Sequence, residues 1–130
     1  MLSFKKFLTE TEHGKCLTKG GARDCFENAR KEYHAQKAAG NNPKYHVGHV
    51  IGFGKDDDPQ KHPQHLIHAW VSVNGKIHDP TPFKHGLGNF DSLPSIPAHE
   101  YWKPGTKYHS SYEVGPEKLH NELKTFPKKD

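Results

Sequence analysis

The chain has 130 residues, 32% hydrophobic, 11% aromatic and 26% charged, with 12 Gly and 10 Pro; this fits one domain, residues 1–130, with a small core and long punctuated loops, and the aromatic content excludes disorder throughout. The net charge of +4 with 12 His neutral permits acidic partners, but no dense Arg/Lys block stands outside the tail "PKKD" and no nucleic-acid motif is present, so nucleic acid is not the expected partner. Cys16 and Cys25 are too few for a disulfide framework, no signal peptide precedes them and no run is apolar enough to span a membrane, so a reduced, cytoplasmic protein is the expectation and the oligomeric state is left open.

In chain order, residues 2–10 read as a short amphipathic helix. This opening, "MLSFKKFLTE", also resembles the starts of many tailed-phage proteins, which would place the chain in a host cytoplasm and says nothing of its chemistry. Residues 11–23, "TEHGKCLTKGGAR", read as a loop. "DCFENARKEYHAQKAAG" then predicts a helix over 25–39. Asp24 is its expected N-cap, Glu27 completes a capping box, Phe26, Ala29 and Tyr33 recur at helical spacing, and Gly40 is the stop. Strands follow over 45–53, 65–73 and 76–79, the last two joined by Asn74-Gly75, the strongest short-range hairpin signal. Residues 80–105 are rich in Pro and Gly and carry few periodic signals. "KYHSSYEV" holds one more short strand, and "GPEKLHNELKTF" reads as a closing helix with Pro116 in its first turn. The fold class is α+β: a Cys-bearing helix packed on a small antiparallel sheet.

The hairpin "HAWVSVNGKIHDPT" carries the chemistry. With a two-residue turn at Asn74-Gly75, Val73 pairs with Lys76, Val71 with His78 and Trp70 with Asp79. Side chains alternate along a strand, so His68, Trp70 and Asp79 share one face and His78 points to the other. His68 and Asp79 are diagonal neighbours within side-chain reach. A carboxylate there can hold one imidazole nitrogen and leave the second to act as a base. Cys25 is the candidate nucleophile, because a thiol on the first residue of a helix meets the positive end of the dipole and unpaired N–H groups that favour thiolate and oxyanion alike.

"DCFENA" opening a helix, "HAWVSV" on a strand and "IHDPT" on the next strand resemble the transglutaminase-like branch of the papain-like cysteine hydrolases. The resemblance implies a papain-like/transglutaminase-like core, with Cys25 as nucleophile, His68 as general base and acid, and Asp79 as the orienting group. It implies a cysteine-dependent acyl-transfer enzyme working through a thioester on a protein or peptide substrate, with peptidase, amidase or deamidase favoured over transglutaminase. Papain-like enzymes often carry a Gln before the Cys, and residues 17–24, "LTKGGARD", contain none. The remaining oxyanion donor is therefore sought on the first strand, among Tyr45, His46 and His49.

Each residue also has a plainer reading. A helical Cys is commonly a small buried hydrophobe, Asp79 before "PT" a turn cap, and Trp70 a core residue or a wall beside the site. Cys16 is read as structural or incidental. No cofactor and no metal ligand is assigned: "HPQHLIH" places His62, His65 and His68 three apart and "HVGH" holds His46 and His49, but on strands that spacing sends side chains to opposite faces. The "DDD" run lacks the Gly and Glu of a calcium loop. Two alternatives stay open, a catalytically inactive binding module on the same scaffold and a His-rich zinc protein.

Overall fold

A computed structural model describes residues 12–113. Helix α1 (Cys25–Ala38) is followed by strands β1 (Lys44–Gly52), β2 (Gln64–Val73) and β3 (Lys76–His78). Short strands β4 (Phe83–Lys84) and β5 (Ser95–Ile96) flank a 3-10 turn at Phe90–Ser92, helix α2 (Ala98–Tyr101) comes next, and β6 (Lys107–Glu113) closes the described chain. The main sheet has the order β3-β2-β1-β6 with every pairing antiparallel. The protein is thus α+β, as its sequence predicts. The expected helices at 2–10 and 115–126 lie outside the described residues. Among the described residues no helix is long and apolar enough to cross a membrane.

The two faces of the sheet are covered differently. Tyr45 and Val47 of β1 and Ala69, Val71 and Val73 of β2 form one apolar layer with Ala29 of α1, and Phe26 and Tyr33 pack against it. Val50, Trp70, Ile77 and Tyr108 point the other way, where Ala98 and Trp102 cover them with Phe83 and Tyr101 alongside. The segment 80–105, read from sequence as irregular, therefore supplies the second layer of the core. Its sequence signal was weak because β4 and β5 are two residues each and α2 four, too short to show a period.

Asn74 and Gly75 both take left-handed backbone angles, φ 53° and 80°, as a two-residue hairpin turn requires. The pairing is Val73 with Lys76, Ser72 with Ile77 and Val71 with His78, the register the turn predicts, although β3 ends at His78 and not at 79. The outer edge of β3 is covered by the preceding loop: Ile77 N donates to Glu12 O and Gly14 N to Ile77 O, both at 2.8 Å. The loop 12–18 is thus a strap tied to the sheet edge, which the reading of 11–23 as a loop does not anticipate. The capping box does not form. Asp24 makes no side-chain bond to the helix, and Glu27 pairs instead with Arg30 at 3.2 Å. Gly40, at φ 90°, does end the helix, with its N–H donated to Lys37 O and that of Asn41 to Gln36 O.

Candidate active site

The hairpin register puts His68 and Asp79 on the same face, and their side chains meet: His68 Nε2 is 2.8 Å from Asp79 Oδ2. Both are almost wholly buried. Asp79 is held from two further directions. Tyr108 Oη of β6 donates to the same Oδ2 at 2.8 Å, and Thr81 N donates to Oδ1 at 3.1 Å. The carboxylate therefore caps the turn that follows it and also orients the imidazole. Aromatic rings wall the pair, with Trp70 stacked at 6.3 Å and 19° to the His68 ring and Phe83 tilted at 5.8 Å.

With Nε2 committed to Asp79, Nδ1 is the nitrogen left for a nucleophile. Cys25, the first residue of α1, acts on the His68 ring both as a hydrogen-bond partner and through its charge. Burial by itself pushes the imidazole down; the Asp79 carboxylate, by charge and by hydrogen bond, together with Cys25, reverses this and lifts it to about 10. The ring is consequently biased toward its protonated form at neutral pH. The structure thus joins His68 to Asp79 by a hydrogen bond and sets Cys25 near enough to influence the same ring.

Several contacts fix where Cys25 stands. Asn28, buried on α1, donates from Nδ2 to Gly21 O at 2.7 Å and to Thr81 Oγ1 at 3.1 Å. It clamps the helix start to the turn that Asp79 caps, so Cys25 and Asp79 share a frame. Arg23 enters the helix at φ 79°, a conformation that costs a non-Gly residue about 1–3 kcal/mol. Its guanidinium lies 3.8 Å over the Phe90 ring, a stacking contact that helps hold the entry.

The expected oxyanion donors separate cleanly. Tyr45 lies beside the helix start, its hydroxyl donating to Phe26 O at 3.3 Å. Burial, with Cys25 next, pushes its phenol up, so it stays an O–H donor. His46 is engaged elsewhere, between Ser110 Oγ at 2.9 Å and Ser72 Oγ at 2.7 Å and stacked on Trp70. His49 stands edge-on to His65 at 4.7 Å. Because Asp24 does not cap α1 with its side chain, the first-turn N–H groups are not met by a cap carboxylate, leaving them suited to an anionic oxygen.

Sequence reasoning missed Tyr108, Asn28 and Thr81. Thr81 could have been suspected from its place two residues after an Asp, the spacing of a side-chain-capped turn. Tyr108 and Asn28 act across 29 and 53 residues of chain, and no local pattern signals such contacts. Cys16 is grouped with Glu32 and His78; burial, with Glu32 and Asp79 adding to it, pushes its thiol up to about 12. No protein-family model, no curated protein and no solved structure matches the chain, so the geometry carries the functional reading.

Proposed function

We propose that this chain is a papain-like or transglutaminase-like cysteine enzyme that transfers an acyl group through a thioester on Cys25. The buried His68–Asp79 hydrogen bond at 2.8 Å, with Cys25 at the start of α1 near enough to act on the same ring, is the observation that carries this reading. In it the thiolate attacks the carbonyl carbon of an amide, and the tetrahedral oxyanion is met by N–H groups of the first turn of α1. The proton on His68 Nδ1 passes to the leaving nitrogen, the C–N bond breaks and the thioester remains. Neutral His68 then takes a proton from water, whose oxygen attacks the thioester and releases the acid. An amine in place of water gives a new amide, the transglutaminase outcome. Hydrolysis of a peptide or side-chain amide is the favoured reaction. Asp79 stays ionised throughout, fixing the ring so that Nδ1 faces sulfur.

Thiol reactivity tests the proposal without knowledge of the substrate. At pH 6.5 iodoacetamide should label Cys25 at least tenfold faster than Cys16, read by peptide mass spectrometry, and His68→Ala should abolish the difference. Equal, slow labelling of both thiols identifies an inactive binding module on the same scaffold. Once a peptide or amide substrate is turned over, Cys25→Ala should abolish turnover while leaving the circular dichroism spectrum intact.

A further inference from the structure

On the opposite side of β3 from Asp79, three donors of three kinds converge. Cys16 comes from the strap, Glu32 from α1 and His78 from β3, and one ligand atom of each lies within 4.8 Å of the others. Glu32 is wholly buried and the His78 side chain is 11% exposed. We propose that Cys16, Glu32 and His78 bind one divalent cation of the zinc class.

The arrangement around the trio supports a ligand set more than a chance meeting. Glu32 Oε1 accepts from Thr18 N at 2.9 Å, from Thr18 Oγ1 at 2.7 Å and from Leu17 N at 3.1 Å, while Oε2 accepts from Gln36 Nε2 at 2.7 Å and Leu17 N at 3.0 Å. Metal-bound carboxylates are characteristically held by such an outer ring of donors. Oε2, the less crowded oxygen, faces His78 Nδ1 at 3.9 Å. That imidazole is itself oriented, with Nδ1 3.0 Å from Lys15 O and 3.2 Å from Gln36 Nε2. Gly14 permits the strap's close approach, because a Cβ there would lie 2.3 Å from His78 Nε2.

The donor set also selects the ion. A thiolate, an imidazole and a single carboxylate suit zinc and its late first-row neighbours, whereas calcium and magnesium want oxygen ligands. Metal–ligand bonds of about 2.0–2.3 Å place tetrahedral donors roughly 3.3–3.8 Å apart, so the trio must draw in slightly on the ion. Three protein ligands leave a fourth position for water. Binding exchanges the S–H bond of Cys16 for an S–metal bond and releases one proton to solvent. The ion would join strap, helix and strand at the residue next to Asp79, a clip behind the candidate active site. None of the three ligands belongs to the His-rich runs that suggest a metal in the sequence.

The full chain, stripped with a chelator and titrated with zinc chloride against a chromogenic chelator, tests this. One ion per chain at micromolar concentration, protection of Cys16 but not Cys25 from alkylation, and a cobalt(II) derivative with a thiolate charge-transfer band support the site. Cys16→Ser should weaken zinc binding at least 100-fold, and His49→Ala/His65→Ala should leave it unchanged. No binding at micromolar zinc, protection of Cys25 in place of Cys16, or loss of binding in the His49/His65 variant alone overturns it. The protection and cobalt measurements use the unmutated chain and do not depend on the folding of any variant.

Discussion

The β2–β3 hairpin, with Asp79 just beyond it, has a histidine–carboxylate meeting on each of its faces, and the two behave in opposite ways. On one side His68 touches Asp79 at 2.8 Å, and the imidazole rises to about 10. On the other, His78 lies 3.9 Å from Glu32, and burial, the largest influence, leaves the imidazole below its ordinary value despite Glu32 pulling it up. Both pair an imidazole with a buried carboxylate, Asp in one and Glu in the other; the difference is what else the carboxylate holds. Asp79 accepts from His68, Tyr108 and Thr81, so one of its bonds goes to the ring. Glu32 is turned toward the strap and Gln36 and makes no direct hydrogen bond to His78, whose Nδ1 stands 3.9 Å from Oε2. A buried carboxylate thus raises a histidine strongly only where the two meet in a direct hydrogen bond; at 3.9 Å, burial of the ring wins.

The sharpest way to break this contrast is at the carboxylates. Asp79→Asn keeps the shape but cannot stabilise a protonated His68 and can hold the wrong tautomer. The rate should fall by a factor approaching about 10,000, the scale seen in triad enzymes, with the fold retained by circular dichroism. Glu32→Gln should act on stability. The neutral amide loses charge-assisted bonds from Leu17 N, Thr18 N and Thr18 Oγ1 and offers an NH2 where only acceptors are wanted, a cost on the order of 3 kcal/mol in urea unfolding. An equal effect of both substitutions on rate would erase the distinction.

The pH dependence sharpens the comparison further. His68 is raised from 6.5 to about 10 on folding, so the folded state binds its proton more tightly. That stabilisation is fully present below pH 6.5 and is lost as pH rises toward and through 10. Imidazole nitrogen NMR should show His68 still protonated at pH 8. In Cys25→Ala its midpoint should fall, because one of the influences that raises it has gone. A His68 midpoint near 6.5 in the unmutated chain would remove the electrostatic basis of the proposed mechanism.

What the sequence made legible was local. Asn74-Gly75 dictated the turn, the turn dictated the register, and the register put His68 and Asp79 on one face with His78 on the other. The apolar spacing of Phe26, Ala29 and Tyr33 placed α1 and therefore Cys25 at its start. The capping box failed because Asp24 and Glu27 had the right types but other geometry: Asp24 enters at ψ 43°, outside the extended range from which an N-cap side chain reaches back. The strap, the cover over the Trp70 face, and the Tyr108 and Asn28 contacts depend on strands and loops far apart in the chain. Composition and periodicity carry no information about such meetings. The clearest example is Cys16, which reads as incidental until Glu32 and His78 are seen beside it.

Tyr108 offers the smallest effect and the finest test. Its hydroxyl shares Asp79 Oδ2 with His68 Nε2, and two donors on one oxygen divide its charge. Burial, with Asp79 next, pushes the phenol well above its ordinary range, so it remains a donor at any working pH. Tyr108→Phe keeps the ring that packs edge-on against Trp70 at 5.0 Å and removes only the hydroxyl. If Tyr108 were merely structural, the variant would lose about 1 kcal/mol of stability and nothing else would move. If it positions and tempers the carboxylate, Asp79 gives more of its charge to His68, the imidazole midpoint rises further, and the deacylation half-reaction, which needs the neutral ring as base, slows by roughly tenfold. Acylation, which uses the protonated ring, should change less. A split between the two half-reactions in the Phe variant would therefore separate a tuned carboxylate from a simple packing contact.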